Sequence, residues 1–150
     1  MLGGMSVQAS VAHPPASRRP LLSKTVRWLA LLALCGAYIQ GGLVKLLDFA
    51  GAQAEMAHFG LHPTALMAGA VIALELGASA LILSGRLRWL GALALALFTA
   101  VAALMANRYW EAPADARFMA MNAFYEHLGL AGAFVLVAWH DLTERLHGRT

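Results

Sequence analysis

Residues 64–84 read TALMAGAVIALELGASALILS, and Glu75 is the one charged side chain among them. A transmembrane helix needs roughly 20 mostly apolar residues, because each residue adds about 1.5 Å to a helix that must cross about 30 Å of hydrocarbon. This run satisfies that requirement with one ionisable residue at its middle. Gly60 and Pro63 precede it as turn and helix-start signals, and Gly85-Arg86-Leu87-Arg88 closes it as a tight basic turn.

Working outward, three further runs have the same character. No charge occurs from Trp28 to Val44 or from Trp89 to Asn107, and another apolar stretch runs from Phe118 to Trp139. The spans are expected at about 27–47, 64–84, 87–106 and 118–139. The whole chain is 60% hydrophobic and 13% charged over 150 residues, against about half and about a quarter in soluble domains. A water-soluble protein of this size could not bury so much apolar surface. A soluble enzyme domain, a disordered chain and a nucleic-acid-binding module are therefore excluded. The sequence shows no internal repeat and no strand-like alternation. The expected fold is all-α, an integral membrane four-helix bundle over residues 26–143. A mobile cytoplasmic tail is expected at 1–25, where Pro14, Pro15 and Pro20 fall, and a short one at 144–150.

Basic residues set the orientation. Arg18, Arg19, Lys24, Arg27, Arg86, Arg88, Arg145 and Arg149 would lie on one side of the membrane. Lys45, Arg108 and Arg117 would lie on the other. Both termini are thus expected in the cytoplasm. Trp28, Trp89 and Trp139 fall at the inner boundary, and Tyr109 and Trp110 at the outer one. Two processing signals compete with the first span. Arg18-Arg19 partly resembles a twin-arginine export signal, and Leu32-Ala33-Leu34-Cys35 faintly resembles a lipoprotein cleavage box. The run is long for a signal segment and lacks a clean small-residue cleavage site, so the paired arginines read more simply as topology determinants. Cys35, the single cysteine, allows no internal disulfide or CxxC pair and reads as a small hydrophobe.

Charges inside hydrocarbon are where function is expected to show, since each costs about 3 kcal/mol at mid-helix on insertion scales. Glu75 shares a helix face with Ser79, while Gly69, Ala73 and Gly77 form a small-residue series on the other side, suited to close helix contact. Towards the outer leaflet, Tyr38, Gly41 and Lys45 follow helical spacing on span one. Asn122, Glu126, Gly129 and Ala133 do so on span four. Lys45, Arg108 and Glu126 are expected at similar depth, as an ion-pair network. The candidate site is a polar outward-facing pocket lined by these residues and Asn122, with Glu75 at its floor and Gln40 bridging the two depths. The same network could equally serve only to fix the bundle's geometry.

The six histidines give no metal site. His58 and His62 have ligand spacing, but Gly60 and Pro63 interrupt a regular helix there. His127 has no second intramembrane histidine for a haem. His140, Asp141, Glu144 and His147 read as a solvated tail. The seven methionines are dispersed and read as gap-fillers.

Several segments together resemble the DoxX family of small four-helix bacterial membrane proteins. They are Gly41-Gly42-Leu43-Val44-Lys45-Leu46, Gly60-Leu61-His62-Pro63, Glu75-Leu76-Gly77 and Gly85-Arg86-Leu87-Arg88. The run Met121-Asn122-Ala123-Phe124-Tyr125-Glu126-His127-Leu128-Gly129, continuing to Val137-Ala138-Trp139-His140-Asp141, looks like the family's last helix. The resemblance spans about residues 25–143. It implies a multi-pass protein of the bacterial inner membrane and a link to redox complexes, since the family takes its name from subunits associated with thiosulfate:quinone oxidoreduction. Lys45, Glu75 and Glu126 match polar positions of the family pattern, and no catalytic role travels with them. With no thiol pair, flavin motif or haem pair, electron transfer would need a protein partner or a bound quinone. The expectation is an accessory subunit of a redox system, with enzymatic activity only as part of a complex. A small-solute or proton transporter, which at this length would require an oligomer, is one alternative. A structural or assembly protein is another. The expected partners are the lipid bilayer and a redox-complex protein, not nucleic acid.

Overall fold

The computed structural model describes residues 23–148, which form five helices and no strand. They are α1 (Lys24–Leu47), α2 (Phe49–His58), α3 (Thr64–Ser84), α4 (Arg88–Ala106) and α5 (Ala114–His147). Four of them, all but α2, are long and apolar enough to cross a membrane. The tail over residues 1–22, with Arg18 and Arg19 of the export-signal alternative, lies outside the described residues, as does Arg149.

Local chemistry sets the ends. Ser23 caps α1 by accepting the Val26 N–H. Asp48 serves two helices at once, donating its backbone N–H to Val44 at the end of α1 and accepting the Gly51 N–H at the start of α2. The segment after span one, read from the sequence as a loop, is therefore mostly helix. A single aspartate restarts the chain at once, and Ala52 and Met56 then bury against Ala68 of α3. His58 ends α2 and His62 lies beyond it, so the two do not share a helix face.

The turn between α3 and α4 places Gly85 at φ 75°, a left-handed cap that glycine adopts without penalty. Arginines satisfy the carbonyls this turn leaves open. Arg88 Nε donates to Ile82 O at 3.0 Å, and an Arg145 guanidinium N–H donates to Gly85 O at 3.3 Å.

In the bundle, α3 packs between α1 and α4, and α5 packs chiefly on α4. The core gathers Leu31, Cys35, Ile82, Leu95, Phe134 and Ala138 from all four long helices. Tyr38 ties the bundle across its middle. Its hydroxyl bonds Thr99 of α4, and its ring meets Phe134 of α5 edge to face at 5.3 Å.

Close helix contact is made by glycines on α1 and α4. A Cβ on Gly91 would stand 2.6 Å from the Ala78 carbonyl oxygen, and one on Gly42 would stand 2.8 Å from the Leu76 side chain. The Gly69–Ala73–Gly77 series does not do this work, contrary to expectation. Nothing beyond its own helix comes within 4 Å of a Cβ at Gly69 or Gly77, and Ala73 is exposed. Small residues show where a neighbour could approach, but the neighbours of α3 pack on its other sides.

The outside of the bundle is ringed by exposed Leu29, Leu66, Leu97, Leu104, Leu128 and Leu136. In water such a surface would drive aggregation. Against lipid chains, which are as apolar as leucine, it is an ordinary solvent-facing surface. Helix α5, at about 1.5 Å per residue, is about 51 Å long and projects beyond the hydrocarbon.

Candidate functional site

Lys45 sits in the last turn of α1. Its Cα–Cβ bond tilts back towards the helix start, so the side chain lies over Gly41, one turn earlier. A Cβ on Gly41 would be 3.5 Å from both Lys45 Nζ and Glu75 Oε1, which leaves room for the two charged groups to meet. They meet at 3.4 Å. Glu75 is 5% exposed and its second oxygen, Oε2, has no hydrogen-bond partner. Lys45 Nζ also lies 3.9 Å from Glu55 of α2, whose side chain is half-exposed. A chain of three ionisable groups therefore runs from the bundle interior to its surface.

One turn along α3 from Glu75, Ser79 is fully buried, with its hydroxyl facing the Cys35 thiol. The unpartnered Glu75 Oε2 is unusual, because buried polar groups are nearly always satisfied and an unsatisfied one costs roughly 1–3 kcal/mol. A lone carboxyl oxygen in this setting is suited to holding a proton or binding a polar ligand.

The other expected site residues do not join this group. Arg108 lies beyond α4, where it bonds Glu111 at 3.4 Å and curls back to the Leu104 carbonyl. It is half-exposed, so it needs no partner across the bundle. Glu126 and Asn122 lie exposed on α5, and Glu126 makes no ion pair among the described residues. Gln40 faces outward on α1 and bridges nothing. His127 Nδ1 lies 2.7 Å from the Ala123 carbonyl and 3.4 Å from Asn107 Nδ2, which links α5 to the end of α4.

A second polar cluster lies at the opposite end of the bundle, where the sequence suggested only a solvated tail. Asp141 is 4% exposed. It accepts Arg145 Nε at 2.8 Å and the Trp89 N–H at 3.3 Å, and Arg88 stands 3.6 Å away. Nearby, Arg27 of α1 grips both oxygens of Glu144 at 3.0 and 2.8 Å. Residues 144–147 are thus the last turn of α5 and part of the bundle's closure. The signal was present in the spacing, since Ala131, Phe134, Ala138 and Asp141 fall on one helical face. No group of three or more metal-ligating side chains occurs among the described residues.

Four long apolar helices, with a buried ion pair between α1 and α3, define a multi-pass membrane protein. The sequence profile of the DoxX family matches residues 28–108, just over half of the chain. The chain belongs to the DoxX family. It is also similar to the inner membrane protein YphA of Escherichia coli (strain K12), at 29% identity over 110 residues that cover 73% of this chain and 79% of that relative. No solved structure matches it significantly. Four spans, family and relative together make it a multi-pass protein of the inner membrane.

Proposed function

We propose that the protein is an integral accessory subunit of a membrane redox system linked to quinone, with Glu75 as its proton-handling group. The observation that supports this reading is the arrangement of the carboxyl. One oxygen is on Lys45, the other is unpartnered, and Lys45 reaches on to Glu55 at the surface. Reduction of a quinone consumes two electrons and two protons. A partner enzyme supplies the electrons, and Glu75 passes the protons singly and is refilled from the aqueous side through Glu55. We further propose that the Glu55 side is periplasmic and that both termini are cytoplasmic. The charge asymmetry supports this orientation, because Lys24, Arg27, Arg86, Arg88 and Arg145 all lie at the other end.

Purification of the intact protein from native membranes, with mass spectrometry of what accompanies it, tests the proposal. A redox enzyme or a quinone in stoichiometric amount is the expected result. Repeated absence of both, with solute uptake by reconstituted protein that Glu75→Gln abolishes, would replace this reading with transport.

A further inference from the structure

Helices α1 and α5 meet at the bundle core through Tyr38 and Phe134 and at their ends through Arg27 and Glu144. Between these two contacts lies an open crevice of about 620 Å³, within the ~300–1,000 Å³ of pockets that hold small molecules. Its walls change character with depth. Arg27, Arg88, His140 and Glu144 stand at the rim, and Ala30, Leu34 and Leu136 lie deeper. From Arg27 to Leu34 is seven residues of α1, or about 10 Å of descent. Exposed Trp28 and Trp139 flank the rim, as tryptophans do at the membrane–water boundary. The order of polar rim and apolar depth is the order of headgroup and acyl chain in one leaflet.

Charge identifies the headgroup. The described residues at this end carry Lys24, Arg27, Arg86, Arg88 and Arg145 against Asp141 and Glu144. Glu144 is held by Arg27 and also lies 3.3 Å from His140, so it does not face the rim as a free negative charge. Each guanidinium has five N–H donors. Arg27 uses two of its nitrogens on Glu144, and Arg88 uses one on Ile82 and turns one to Asp141, so both keep donors to spare. Basic pockets between transmembrane helices are a recognised setting for anionic lipid headgroups.

We propose that this crevice binds one anionic phospholipid, with an acyl chain between Leu34 and Leu136 and the phosphate on Arg27 and Arg88. The site lies at the other end of the bundle from Lys45 and Glu55 and stands independently of the proposed redox role.

Native mass spectrometry of the full chain, equilibrated with equimolar phosphatidylglycerol and phosphatidylcholine, tests it. One phosphatidylglycerol should be retained preferentially, and Arg27→Gln should cut that preference about fivefold, the usual contribution of one basic residue near an anionic surface. Ala30→Phe should remove the retained lipid by filling the crevice. Leu136→Trp should do the same, and its position is 65% exposed, so folding is preserved even if Ala30→Phe fails to fold. Glu144→Gln should retain as much lipid or more, whereas a merely structural Arg27–Glu144 pair would give loss in both variants. Equal retention of the two lipids would overturn the proposal. So would a preference that survives Leu136→Trp, or thermal stabilisation by inorganic phosphate equal to that by phosphatidylglycerol.

Discussion

Lys45 Nζ stands 3.4 Å from Glu75 Oε1 across the α1–α3 contact, with both groups lying against Gly41 one turn back along α1. Two charges removed from water cost more than their attraction returns unless both stay paired. The pair is therefore an unequal partnership when broken. Lys45→Met should destabilise the purified protein by about 3–5 kcal/mol, because it strands a buried carboxyl. Adding Glu75→Gln to that variant should recover much of the loss. Equilibrium unfolding in a detergent series would show it, and additive losses in the double variant would mean the two groups do not interact.

The α3–α4 contact depends on Gly91. A methyl group there would press on the Ala78 carbonyl, which is backbone and cannot swing aside. Gly91→Ala should cost about 1–3 kcal/mol and lower the thermal midpoint. Gly77→Ala, in open space on the same pair's α3 partner, should leave the midpoint nearly unchanged. The comparison is a direct check on which glycine carries the packing.

At the basic end, the two acidic residues should behave differently. Asp141 is buried and bound by two arginines, so Asp141→Asn leaves Arg88 without its counter-charge and should cost about 3 kcal/mol. Glu144 shares an exposed pair with Arg27, and Glu144→Gln should cost at most about 1 kcal/mol. Added salt should shrink the Glu144 effect and leave the Asp141 effect in place.

Topology can be read with single cysteines in a Cys35→Ala background. Ala54→Cys lies on α2 and Leu146→Cys near the end of α5, both exposed. A membrane-impermeant maleimide applied from the periplasmic side should label position 54 and spare position 146. Labelling of both from one side would contradict the four-span orientation.

Sequence carried the fold because length and hydropathy are properties of each segment alone. The apolar runs about Glu75 and from Trp89 to Asn107 needed no knowledge of their neighbours. The site was only half legible for the opposite reason. Depth groups Lys45 with Arg108 and Glu126 above Glu75, but Lys45 reaches back to Glu75 and Arg108 turns to Glu111 instead. Depth fixes a residue along the membrane normal and leaves its direction around the bundle open. Helix α2 reads as a loop from sequence because its buried face is only Ala52 and Met56, too short a pattern to separate from one. Asp141 reads as solvated from sequence because a charge next to a tail usually is. Its place on the face of Phe134 and Ala138 was the sign that it is buried.

Proton exchange at Glu75 in concert with quinone reduction is the step on which the proposed function rests. It can be followed by infrared difference spectroscopy of the reconstituted protein with a bound quinone, recorded on reduction. Wild-type protein should show a change in the carboxyl C=O stretch that is missing from Glu75→Gln. An identical carboxyl signal in both proteins, or none in wild type while the quinone is reduced, would contradict it.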